Sequence, residues 1–115
     1  MIKYYLNYIK FLYICYTNKY VPIVSKAMHY ALKKHHSVRQ TYDGYPYFFH
    51  LYQVFLNVIK WHKLTNCKTD INVLLCAALL HDTIEDVCSI TYNNIVDEFG
   101  VEIADTVFTC TELRG

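Results

Sequence analysis

The chain is 115 residues long, 54% hydrophobic and 18% charged, which is enough apolar material for one core and far from the composition of a disordered segment. Eleven Lys and Arg against ten Asp and Glu give a formal net charge of +1 with no long basic run, so a nucleic-acid-binding surface is excluded as an expectation. Five cysteines, at positions 15, 67, 76, 88 and 110, are odd in number and include no Cys-x-x-Cys pair; reduced thiols in a cytoplasmic compartment fit this better than a disulfide framework.

Residues 1–16, MIKYYLNYIKFLYICY, carry Ile2, Leu6, Ile9, Leu12, Tyr13 and Tyr16 at helical spacing. These six side chains are expected to form the inner face of a first helix, an accessory element covering residues 1–20. Lys10 divides the run, no uncharged stretch approaches the ~20 residues a bilayer span needs, and no small-residue cleavage site follows. The expectation is therefore no membrane partner, with a membrane-associated helix over residues 2–16 as the reserve reading. Thr17-Asn18-Lys19 breaks the pattern, and Pro22 can open the next segment.

A second helix is predicted from Val24 to His36, with Ser25 as its N-cap and Ala27, Ala31 and Leu32 inward. His35 and His36 fall in its last turn, where a cationic side chain suits the helix dipole, and that is the role expected of the pair. Residues 37–47 contain Gly44 and Pro46 and read as a loop. A third helix follows over Tyr47–His62, with Phe48, Leu51, Phe55, Val58 and Ile59 as its stripe and His50 in its first turn. Asp70 is the predicted N-cap of a fourth helix. Thr91 caps a short helix over Tyr92–Phe99, Gly100 stops it, and a last helix over Val101–Cys110 turns Val101, Ala104, Val107 and Phe108 inward. No strand pattern survives, so the predicted fold class is all-α.

The fourth helix holds the chemistry. Its apolar run Leu74-Leu75-Cys76-Ala77-Ala78-Leu79-Leu80 covers every direction of the helix, as in a segment buried on all sides. It ends in His81-Asp82-Thr83-Ile84-Glu85-Asp86. With His81 at zero, Glu85 lies at about 40°, Asp82 at about 100° and Asp86 at about 140°, so four ionisable side chains share one side. Three carboxylates at a helix C-terminus oppose the macrodipole, and charges beside a core are costly unless paired or bound to a metal. A divalent cation answers both problems.

Three segments in order carry a family resemblance: Gly44-Tyr45-Pro46-Tyr47-Phe48-Phe49-His50, then AALLHDTIED at 77–86, then ITYNNIVDEFGVEIADTVFTCTEL at 90–113. Together they resemble the HD-domain metal-dependent phosphohydrolases, specifically the (p)ppGpp hydrolase domain of the RelA/SpoT family, over about residues 27–114. The resemblance implies the N-terminal portion of an HD helical bundle, with residues 21–115 as a partial hydrolase domain. His50, His81 and Asp82 match the family's metal ligands, for which Mn²⁺ or another divalent ion is implied. Glu85 and Asp86 match its acidic pair, which orients the attacking water and handles its proton. Tyr47 matches a position beside the substrate. The family's base-contacting basic residue lies about three positions before the motif glycine; this chain has Thr41, Tyr42 and Asp43 there, which leaves Arg39 as the candidate substrate contact. Leu51 stands where the family usually has proline. The family's fourth ligand, an aspartate on a later helix, falls after the segment that reaches Gly115.

Two functions are implied. One is metal-dependent hydrolysis of the 3′-pyrophosphate of a guanosine nucleotide. The other is a catalytically impaired HD domain serving as a metal-binding or protein-interaction module. In either case an apolar face left by absent helices would favour a homo-oligomer.

Overall fold

The computed structural model describes residues 2–20, 22–38, 41–42 and 44–114, with side chains in these ranges except at 42, 45 and 110–114. Its helices are α1 (Ile2–Thr17), α2 (Ile23–Ser37), α3 (Phe48–Leu64), α4 (Ile71–Asp86), α5 (Tyr92–Phe99) and α6 (Val101–Arg114). A two-residue antiparallel ladder, β1 (Thr41–Tyr42) with β2 (Tyr45–Pro46), tightens the loop before α3, Thr41 facing Pro46 and Tyr42 facing Tyr45. The fold is otherwise helical throughout the described residues, as the sequence pattern leads one to expect.

Local chemistry sets the ends of these elements. Asp70 caps α4 by accepting the Asn72 N–H at 2.7 Å. Thr91 and Asn94 form a reciprocal capping box: the Asn94 N–H donates to Thr91 Oγ1 at 3.2 Å and the Thr91 N–H to Asn94 Oδ1 at 2.8 Å. Gly100 then takes φ +91°, a left-handed conformation that side chains resist, and lets α6 start at once. Lys19 at φ +60° ends α1, with the Tyr20 N–H returning to the Cys15 carbonyl at 2.8 Å. Ser25 is not the N-cap of α2. Pro22 is already in the helical region and opens the helix at Ile23, so Ser25 sits inside the first turn and donates to the Pro22 carbonyl at 3.1 Å. At the other end of the chain, α6 runs past Cys110 to Arg114, and Val101 is exposed rather than inward.

α4 occupies the middle. It packs against α2, α3 and α6, while α5 leans on α6 and α1 lies across α3 and α2. Leu75, Cys76, Leu79 and Leu80 of α4 meet Val24, Ala27, Met28 and Ala31 of α2, Leu51 and Phe55 of α3, and Ala104 and Val107 of α6 in one continuous apolar cluster. α1 joins this cluster by a different face from the expected one. Phe11 and Cys15 are fully buried and Tyr4 and Tyr8 partly so, whereas Ile2, Leu6, Ile9, Tyr13 and Tyr16 are exposed. The α3 aromatics account for the choice. Phe11 meets Phe55 edge-on at 4.8 Å between centroids, and Tyr4 and Tyr8 sit 5.2 and 5.7 Å from Phe48. Burying three aromatic side chains against rings outweighs burying the predicted stripe. Among the described residues no helix is long and apolar enough to cross a membrane.

Candidate functional site

Asp82 is the centre of the site. Its Oδ2 lies 2.6 Å from His50 Nε2 and its Oδ1 3.3 Å from His81 Nδ1, so one carboxylate is held between two imidazoles from different helices. The other nitrogen of His81, Nε2, lies 3.5 Å from Glu85 Oε1 one helical turn on. Burial by itself would push the Asp82 carboxyl up; the hydrogen bond and charge of His50, then those of His81, more than reverse this and hold it below its ordinary value.

The arrangement around His81 bears on whether a metal fits. A neutral imidazole donates from one nitrogen only, yet both nitrogens of His81 face carboxylate oxygens. The ring is either protonated or presents a lone pair toward an anion, and a cation among these groups removes that conflict. Donor atoms of His81, Asp82 and Glu85 lie within 4.8 Å of one another, a spacing compatible with a metal ion, and imidazole with carboxylate oxygen is a donor set that borderline divalent ions accept. His81, Asp82 and Glu85 therefore fit such an ion, and His50 adjoins this group through Asp82 Oδ2 at 2.6 Å.

Tyr47, at the N-cap of α3, organises the other edge. Its hydroxyl donates to Asp86 Oδ2 at 3.5 Å, and its ring stands edge-on to His50 at 5.1 Å. Burial first, then the charges of Asp82 and Asp86, raise this phenol well above its ordinary value, so it remains a proton donor at neutral pH. Beneath it lies His35, stacked on the Tyr47 ring at 3.9 Å. His35 is fully buried, with Nε2 3.0 Å from Thr83 Oγ1. The Thr83 hydroxyl donates to the Leu79 carbonyl at 3.4 Å, which leaves His35 as donor in the His35–Thr83 bond.

The structure thus brings together His50, His81, Asp82 and Glu85, with Asp86 reached through Tyr47. Arg39 lies outside the described residues. The helix-end role expected of His35 and His36 suits only the exposed His36; His35 faces the core. The signal for this was Thr83, which lies on the side of α4 opposite His81 and needs a polar partner there. Two concavities flank the site. One, of about 510 Å³, runs along α4 past Leu74 and Ala78 to His81 and Asp82, walled by Val58 and Trp61 of α3. The other, of about 530 Å³, lies on the far side of Tyr47 against Leu32, His36, Gly44 and Pro46.

No family model matches the chain, and no solved structure does so. Over 93 residues, 81% of its length, the chain is 33% identical to the probable guanosine-3′,5′-bis(diphosphate) 3′-pyrophosphohydrolase of Mycoplasma pneumoniae. Over 98 residues, 85% of its length, it is 32% identical to the protein of the same description from Mycoplasma genitalium. The chain spans 12% of the length of each of these curated relatives. Identity at a third of the positions across most of the chain supports a relationship to hydrolases of the RelA/SpoT type.

Proposed function

We propose that residues 21–115 form the metal-binding and water-activating part of a hydrolase that removes the 3′-pyrophosphate of guanosine 3′,5′-bis(diphosphate) or a related nucleotide, with residues 1–20 as an accessory element. The observation that carries this reading is the clasp of Asp82 between His50 and His81, with Glu85 against the same ring. The similarity to the two mycoplasma proteins supplies the substrate class.

In this reading His50, His81 and Asp82 hold a divalent ion such as Mn²⁺. When bound, that ion offsets phosphate charge and lowers the pKa of a water. Glu85 accepts a proton from the attacking water, and Asp86 helps to orient that water. Tyr47 contributes at two points: its hydroxyl steers the Asp86 carboxylate, and its ring limits the swing of His50. The nucleotide lies against Tyr47, in the concavity between α2 and the start of α3, and Arg39 is its second contact by the family resemblance alone.

The test is release of pyrophosphate from guanosine 3′,5′-bis(diphosphate) by the purified chain with Mn²⁺, beside a His81→Ala/Asp82→Ala variant. Turnover that the variant lacks is the expected result. The melting temperature should rise with Mn²⁺ in the wild type alone, because an ion that binds only the folded state stabilises it. A rise without turnover assigns the chain to a metal-binding module, and the absence of both effects overturns the reading.

A further inference from the structure

We infer that the outward face of α1 is a docking surface for an anionic lipid membrane. Six of the eleven exposed large hydrophobic side chains among the described residues belong to this helix: Ile2, Tyr5, Leu6, Ile9, Tyr13 and Tyr16, from 54% to 78% exposed. On a helical projection they fall within about 100° of arc, on the side away from Phe11 and Cys15. They form one stripe of exposed apolar surface rather than scattered single residues. α1 is therefore apolar on two faces, one used by the core and one left exposed among the described residues.

Charge identifies the occupant. The first 42 residues contain seven Lys or Arg and no Asp or Glu, while the remaining residues contain four and ten. On α1 itself Lys3 and Lys10 lie along one flank of the stripe, at about 80–100° from Ile2. Lys26 is already committed to Glu98 at 3.2 Å, but no acidic residue lies on α1 to engage Lys3 or Lys10 there. A symmetric pair of copies meeting through this stripe would bring two such basic segments together, which opposes the contact. A negatively charged surface is attracted by them instead.

Shape and composition agree. Sixteen residues make a helix about 24 Å long, too short to span and suited to lying in the interfacial plane. The stripe is a convex ridge, which a deformable headgroup layer accommodates. Half of its side chains are tyrosines, whose rings enter the apolar boundary while their hydroxyls stay in the polar layer. The inference stands apart from the hydrolase reading, since it uses none of that site's residues.

Sedimentation of the full chain with phosphatidylcholine vesicles, with and without phosphatidylserine, tests it. Binding is expected to the vesicles that contain phosphatidylserine, at least about tenfold tighter than to phosphatidylcholine alone. Lys3→Gln/Lys10→Gln should weaken that binding by about thirtyfold, and high salt should weaken it as well. Leu6→Asp/Ile9→Asp changes only exposed positions, so the fold persists, as its melting temperature will report, and binding should be lost. Absence of binding to phosphatidylserine vesicles, equal binding to neutral ones, or binding that survives Leu6→Asp/Ile9→Asp overturns the inference. So does a lipid-free dimer in sedimentation equilibrium that the same double variant dissolves, which assigns the face to a second copy.

Discussion

His35 and Thr83 are the two fully buried polar side chains among the described residues, and each answers the other. Thr83→Val keeps the shape of the site and removes the acceptor for the His35 N–H. It should cost about 1–3 kcal/mol in urea unfolding, and His35→Leu/Thr83→Val should cost less than the sum of the two single changes. Cysteines give a pH signature. Burial pushes the thiols of Cys15 and Cys76 up to about 12, and in Cys76 the charges of Cys15 and Asp70 add to this. A thiol whose folded value is raised contributes stability that is complete below its unfolded value, near 9, and is lost as pH rises toward 12. The melting temperature should therefore decline above about pH 9, and Cys15→Ala/Cys76→Ala should flatten that decline. At pH 8 iodoacetamide should modify exposed Cys88 ahead of half-buried Cys67 and leave Cys15 and Cys76 untouched until the protein unfolds. At this scale the sequence was partly legible. His81, Asp82 and Glu85 share a helix whose geometry fixes their spacing, so their meeting could be foreseen. The His50–Asp82 contact bridges 32 positions and came only through the family resemblance. His35 was hidden because a histidine in a last turn already has a sufficient explanation in the helix dipole.

Helix boundaries were readable wherever a side chain supplies them, as at Asp70, Thr91 and Gly100. They slipped where backbone alone decides, as at Pro22 and at the far end of α6. The α1 face was misread for a physical reason: its sequence contains two apolar stripes, and periodicity cannot tell which of them a partner helix will select. The partner is the aromatic row of α3, whose identity is tertiary information. Paired substitutions check this directly. Phe11→Ala should destabilise by about 3–5 kcal/mol, because it opens a cavity against Phe55. Ile9→Ala, two positions away on the exposed side, should stay within about 0.5 kcal/mol. Equal costs would mean that both stripes are buried.

Across the whole molecule, the all-α class followed from the absence of any alternating pattern, whereas the arrangement around α4 did not follow from periodicity. A helix that is apolar in every direction announces burial without naming its neighbours. The observed neighbours are α2, α3 and α6, which pack on α4 rather than extensively on one another. That hub has a kinetic consequence. The structured nucleus of the folding transition state should include α4, so Leu79→Ala should slow folding, with a φ-value of about 0.5 or more in a chevron analysis. Phe11→Ala should act mainly by speeding unfolding. Synthesis meets the same constraint, because α1, α2 and α3 precede α4 in the chain. As they leave the ribosome, the apolar faces of α2 and α3 stay uncovered until the Leu75–Leu80 segment follows and gives them a surface on which to close.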